Sequence, residues 1–173
     1  MIDQSTNSRV EGIYSLALNS PYYYIRDKGI VNIIKKGNRR FYSKYRRIDH
    51  PPSPEDIYRH LKKDNSIYLP VYTDKRSNRL IFIHSKDGSE IFINTLKHLL
   101  SYLKLDYKIY LGRDDVQVHI YTEPQSIESL YRFGIEISKM LESRLQKSWQ
   151  IYPDIELPKE KNIYPLPIDE YIS

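Results

Sequence analysis

The sequence predicts an α+β protein, and three observations predict it. Apolar residues alternate over short Tyr- and Ile-rich runs, recur at helical spacing in two longer segments, and are punctuated by Gly, Asn, Asp and Pro. Taken in order, residues 10–18 (VEGIYSLAL) form a short helix that ends before Pro21, because proline disfavours helix in the residue preceding it. Residues 22–47 hold two or three short strands, with turns at Asp27-Lys28-Gly29 and Lys36-Gly37-Asn38. His50-Pro51-Pro52 is a stiff connector. Ser53 supplies a capping hydroxyl, Pro54 suits a first helical turn, and Glu55 and Asp56 sit at the positive end of the helix dipole. That helix runs to about Lys62 and stops at Asp64-Asn65.

Beyond it the pattern gives a strand over 66–73, a turn over 74–78 and a largely apolar strand over 79–85. A helix over 90–105 places Ile91, Leu96, Leu99, Leu100 and Leu103 near one face. Strands over 107–112 and 116–123 follow, the second stopped by Pro124. Ser126 then caps a helix over 127–147, striped by Leu130, Phe133, Gly134, Ile137, Leu141 and Leu145. The order β-β-α-β-β-α is that of an RRM- or ferredoxin-like sheet with helices on one face. The proline-broken residues 150–173 are expected as an extended tail packed on that core. The organisation is thus a basic extension (1–52), an α/β core (53–149) and a tail (150–173) within one compact domain.

Composition limits the function classes. With 40% hydrophobic and 28% charged residues among 173, the chain can bury a real core. The absence of cysteine excludes disulfides, zinc–thiolate sites and cysteine nucleophiles. No apolar run reaches bilayer length and residues 1–12 lack a signal-peptide pattern, so a cytoplasmic protein without membrane contact is expected. Seventeen tyrosines against four phenylalanines, with much Ile and Lys, suggest a heat-adapted source, although an AT-rich genome gives the same bias. Charge is unevenly spread: residues 1–63 carry a net +7, whereas 64–173 carry −2. A polyanion is therefore the expected partner of the N-terminal third, with nucleic acid the default.

Residues 53–90 (SPEDIYRHLKKDNSIYLPVYTDKRSNRLIFIHSKDGSE), YKIYLGRDDVQVHIYTEP and QIYPDIELPKEKNIYPLPI, with a helix in each interval, resemble the archaeo-eukaryotic primase superfamily. The likeness is to the primase-polymerase branch of plasmids, viruses and conflict systems, and it covers roughly 53–168. The resemblance implies two carboxylates at alternate positions of one strand, holding divalent metal. Here those positions are Ile83 and Ser85, flanking His84, and neither side chain replaces a carboxylate on magnesium. The family's serine–glycine–x–glycine–x–histidine turn falls on 111–116, where only Gly112 remains and the histidine position is Val116. His119 lies on the opposite strand face from Val116. The resemblance therefore implies a primase-like fold without its two-metal chemistry.

The strongest local signal is Lys35, Lys36, Arg39, Arg40, Lys44, Arg46 and Arg47, free of acids and interleaved with Phe41, Tyr42 and Tyr45. Cations neutralise phosphates and release counterions, and aromatic faces stack unpaired bases. Alternation puts Arg40, Tyr42 and Lys44 on one strand face. An acidic protein partner and a plainly solvated hairpin are the competing readings. His84, Asp87 and Asp114, with Glu90 and Asp115, are candidates for a new metal site, but Asp87-Gly88 is also an ordinary turn and Glu90 an ordinary first-turn acid. His60, His98 and His119 have no ligand spacing, and no phosphate loop, HExxH or GxSxG occurs.

The expected function is a non-catalytic, primase-like nucleic-acid-binding protein, an accessory DNA replication factor of an archaeon or its viruses and plasmids. It needs no cofactor. Lys35, Lys36, Arg39, Arg40, Lys44, Arg46 and Arg47 would contact phosphates of single-stranded DNA or RNA, Tyr42 and Tyr45 would stack bases, and replication proteins are further partners. The alternatives are a metal-dependent nucleotidyltransferase or nuclease with a divergent site, and an assembly subunit that docks an acidic protein.

Overall fold

The computed structural model describes residues 4–171, with side chains from Val10 onward. In chain order the elements are α1 (Gln4–Leu18), β1 (Tyr23–Arg26), β2 (Asn32–Lys36), β3 (Arg39–Ser43), β4 (Tyr45–Ile48), α2 (Pro54–Leu61) and β5 (Ile67–Pro70). There follow β6 (Arg76–Ser85), α3 (Ser89–Tyr102), β7 (Asp106–Leu111), β8 (Asp115–Ser126), α4 (Ile127–Glu142), β9 (Gln150–Tyr152) and β10 (Ile163–Pro165). They fall into two compact units, residues 1–70 with 156–173 and residues 71–155.

In the first unit an antiparallel sheet runs in the order β10-β5-β1-β4, and β2 and β3 form a separate hairpin. Tyrosine supplies much of its interior: Tyr22 and Tyr24 are buried with Ile163, and Tyr45 and Tyr68 pack against them. α2 starts as its sequence dictates. The Ser53 hydroxyl accepts from the Asp56 backbone N–H at 3.1 Å, and the Asp56 carboxylate accepts from the Ser53 N–H at 3.2 Å, a reciprocal capping box. His60, on the buried side of α2, fixes the helix to two other segments. Its Nδ1 accepts from the Ile67 N–H at 3.0 Å, so the proton sits on Nε2, which donates to the Leu166 carbonyl at 2.6 Å.

In the second unit the sheet runs in the order β7-β8-β6-β9, with antiparallel neighbours. α3 and α4 pack on it: His84 stacks on Phe92 of α3 at 4.8 Å, and Leu80 and Ile151 abut Gly134 of α4. A Cβ at Gly134 would lie 2.7 Å from Ile151 Cγ2 and 2.9 Å from Leu80 Cδ1. Gly134→Ala would gain about 1 kcal/mol of helix propensity but lose about 1–3 kcal/mol to overpacking. The expected net result is a lower urea midpoint, equivalent to a loss of about 1 kcal/mol.

The structure differs from the sequence reading at several elements. β5 was expected to open the core sheet but pairs with β1 and β10 in the first unit. The place beside β6 is taken by β9, where Ile151 pairs with Phe82 and is buried. The second unit is therefore β-α-β-β-α-β in place of the expected β-β-α-β-β-α. Local pattern marks a strand and its buried side but not its hydrogen-bonding neighbour. Pro124 does not stop β8. The β6–β8 register shifts between Ser77 and Arg79, so Pro124 sits in an irregularity where its missing N–H costs nothing, and pairing resumes at Gln125 and Ser126. α3 ends at Tyr102 because Lys104 adopts φ 58°. There the Leu105 N–H returns to the Leu100 carbonyl and the Lys104 N–H to that of Ser101. α4 stops at Glu142, short of the expected 147.

Candidate nucleic-acid interface

The hairpin follows from its sequence. Gly37, at φ +62°, and Asn38 make a two-residue turn between β2 and β3, with glycine at the first central position as such turns demand. The register pairs Lys36 with Arg39, Lys35 with Arg40, Ile34 with Phe41 and Ile33 with Tyr42. Directly paired residues share a face, and faces alternate along a strand. One face therefore carries Lys35, Arg40, Ile33 and Tyr42, the other Lys36, Arg39, Ile34 and Phe41. On the first face Ile33 is 56% exposed and Tyr42 53%, beside the exposed Lys35 and Arg40. On the second face Ile34 and Phe41 are half-buried, and the Arg39 guanidinium lies 4.8 Å from the Phe41 ring centroid. The Lys36 ammonium donates to the Leu157 carbonyl at 2.9 Å.

The other basic residues of the segment are placed differently. β3 ends at Ser43, whose buried hydroxyl accepts from the Tyr45 N–H at 3.1 Å and bends the chain at Lys44. The expected single face of Arg40, Tyr42 and Lys44 is thereby broken after Tyr42. Tyr45 is a packing residue, 4.7 Å from Tyr68 between ring centroids. Arg46 faces Asp27 at 3.8 Å. Arg47 pairs with Asp49 at 2.6 Å and lies 3.8 Å over the Tyr22 ring. The structure thus gathers Lys35, Arg40 and Tyr42 with Ile33, sets Lys36 and Arg39 on the reverse face, and gives Arg46 and Arg47 carboxylate partners. Ile33 is missing from the expected contacts because NIIKK holds two adjacent isoleucines and does not show which of them shares a face with Tyr42.

Among the candidate ligands in the second unit, both nitrogens of His84 are used. Its Nδ1–H donates to the Ser85 carbonyl at 2.6 Å, so Nε2 accepts from the Ser148 hydroxyl at 2.8 Å. Asp87 and Asp114 are exposed, and their backbone carbonyls accept from the Ser85 hydroxyl and the Lys86 N–H. Among the described residues no group of three or more His, Asp or Glu is placed to hold a metal ion. Asp115 is the perturbed acid. It pairs in register with Ser85, its Oδ1 is buried without a hydrogen-bond partner, and burial pushes its carboxyl up to about 6. A Cβ at position 112 would overlap that oxygen, which is why glycine stands there. His119 is fully buried, with Nε2 3.0 Å from Gln117 Oε1, and burial, followed by the Arg79 charge, holds its pKa well below the usual imidazole value.

A family model described as "Domain of unknown function (DUF1882)" matches residues 14–75, a stretch shorter than half of the chain that includes the whole hairpin. No curated protein matches the sequence. Among solved structures, the polymerase domain of Ligase D from Mycobacterium tuberculosis, in complex with DNA, is similar with a TM-score of 0.47 and 10% identity. That match covers 78% of this chain and 59% of the other, so the chain spans about three-fifths of its neighbour's length. In the described residues no helix is long and apolar enough to cross a membrane.

Proposed function

We propose that this chain is a non-catalytic nucleic-acid-binding protein that holds a single strand on the β2–β3 hairpin. The observation that carries the reading is the open face on which the Lys35–Arg40 pair adjoins the Ile33–Tyr42 pair. Cations alone suit any polyanion. An exposed aromatic and an exposed isoleucine beside them suit unpaired bases, which offer apolar faces that a duplex keeps stacked. Residues 28–48 contain no carboxylate, so nothing within the segment repels phosphate. Ile83 and Ser85, at the two positions where the resembled superfamily carries metal-binding acids, support a binding role without catalysis. The resemblance of 53–168 to that superfamily supports an accessory role in replication.

The test is a fluorescence-anisotropy titration with single-stranded and duplex oligonucleotides across a salt series. The protein is expected to prefer the single strand. Its log Kd should depend linearly on log salt, and Lys35→Gln and Arg40→Gln together should flatten that slope by about 1.4, at about 0.7 per phosphate contact. Tyr42→Ala should weaken binding by about 1–3 kcal/mol with the slope unchanged, because stacking releases no counterions. An absence of binding to any strand at about 50 mM salt would overturn the reading, and capture of an acidic protein in its place would put the hairpin to another use.

A further inference from the structure

At the base of the hairpin, still within the first unit, lies an open cavity of about 450 Å³ lined by Ile25, Arg26, Asp27, Lys28, Lys44 and Ser66. Three of these six side chains are cationic and exposed. The local fold brings them together. Arg26 is the last residue of β1 and pairs with Tyr45. Lys28 follows in the bend, and Lys44 occupies the break between β3 and β4 that the Ser43 hydroxyl makes. The Asp27 N–H donates to the Lys44 carbonyl at 2.6 Å, locking the two segments side by side. The single carboxylate of the lining is already engaged: Asp27 Oδ1 accepts from the Lys28 N–H at 2.8 Å, and its Oδ2 faces Arg46 at 3.8 Å. The cavity therefore presents net positive charge, a hydroxyl at Ser66 and a short apolar wall at Ile25.

We infer that this cavity is a phosphate subsite, taking an internal phosphodiester of the strand held on the hairpin. The inference rests on the nucleic-acid reading and extends it by a second contact point. Flexible lysine and arginine heads around an open basin suit a monoanionic phosphodiester passing through, whereas a closed cradle of backbone N–H groups would suit a terminal phosphate. Lys44 stands four residues from Arg40 along the chain, at most about 14 Å at about 3.4 Å per residue. Only a strand of several nucleotides spans that interval.

The experiment compares a dinucleotide, whose single phosphodiester cannot occupy both contact points, with an oligonucleotide of about 16 nucleotides, the upper end of common single-strand site sizes, against wild type, Lys28→Gln/Lys44→Gln and Lys35→Gln/Arg40→Gln. Both lysines of the first pair are exposed loop residues, so the fold is expected to persist, as an unchanged thermal midpoint would show. The cavity pair should leave the short oligonucleotide unaffected, weaken the long one roughly tenfold and flatten its salt slope by about 1.4. The hairpin pair should weaken both. Oligonucleotides with and without terminal phosphates should bind alike. Unchanged affinity and slope in the cavity pair, while the hairpin pair is impaired, would overturn the subsite and leave the hairpin reading intact. A gain confined to phosphate-ended strands would overturn the internal-phosphodiester assignment. Loss of all binding in wild type would remove both.

Discussion

Replacing His60 with alanine is expected to destabilise the first unit by about 3–5 kcal/mol, the largest effect of any single substitution proposed for that unit. The imidazole is buried and bridges three segments, accepting from the Ile67 N–H and donating to the Leu166 carbonyl. Alanine leaves a buried N–H and a buried C=O without this partner, at about 1–3 kcal/mol each, and empties the ring's volume. Gln keeps a donor and an acceptor on a longer stem and should lose less. Urea denaturation followed by circular dichroism checks both variants. A His60→Ala midpoint equal to wild type would mean that α2, β5 and the 163–166 segment are held by packing alone.

Asp115→Asn is expected to act in the opposite direction, stabilising the protein at neutral pH. Burial raises this carboxyl from 3.8 in the unfolded chain to about 6 in the folded one, so folding favours the protonated form. Its favourable contribution is present below pH 3.8 and is lost as pH rises through about 6. Above that, wild type carries a penalty of about 2 kcal/mol, after discounting for the carboxyl's partial exposure. Asparagine keeps the shape without the charge. Its advantage should be present at pH 7.5 and vanish near pH 4. His119 slopes the other way. Its folded pKa is depressed from 6.5, so its contribution is full above pH 6.5 and is lost as pH falls below that value. Denaturant midpoints between pH 4 and pH 8 separate the two, because the Asn variant should retain only the histidine slope. Equal pH profiles for wild type and Asp115→Asn would contradict the burial of this acid.

The α2 start was legible because a capping box is written in consecutive residues, Ser53 to Asp56. The hairpin was legible because Gly37-Asn38 separates two β-branched and aromatic runs. The sheet to which β5 belongs was not legible, since Ile67 and Leu69 would be buried equally well beside β6 or beside β1. The passage of β8 beyond Pro124 was hidden for a related reason: an irregularity opposite Asn78 absorbs the proline, and nothing local announces it. At the site, composition located the cations but not their faces. The Ser43 hydroxyl diverts Lys44 from the row of Arg40 and Tyr42, and aromatic packing takes Tyr45 out of the exposed set. Ile33 joins the site only once the register pairs it with Tyr42. Asp115 stands out from its neighbour Asp114 only through burial, which two adjacent identical residues cannot reveal.

If the hairpin face bearing Lys35, Arg40, Ile33 and Tyr42 holds a single strand, the strand must register on the backbone amides of that face. The most direct test is to follow backbone amide shifts of the isotope-labelled full chain while titrating an oligothymidine of about 16 nucleotides. Saturable shifts are expected to concentrate at residues 33–42, with a second group at 26–28 and 44, and near silence in α3 and α4. Saturable binding that moves amides in 71–155 while leaving 33–42 unmoved would contradict it, as would no shift anywhere at low salt.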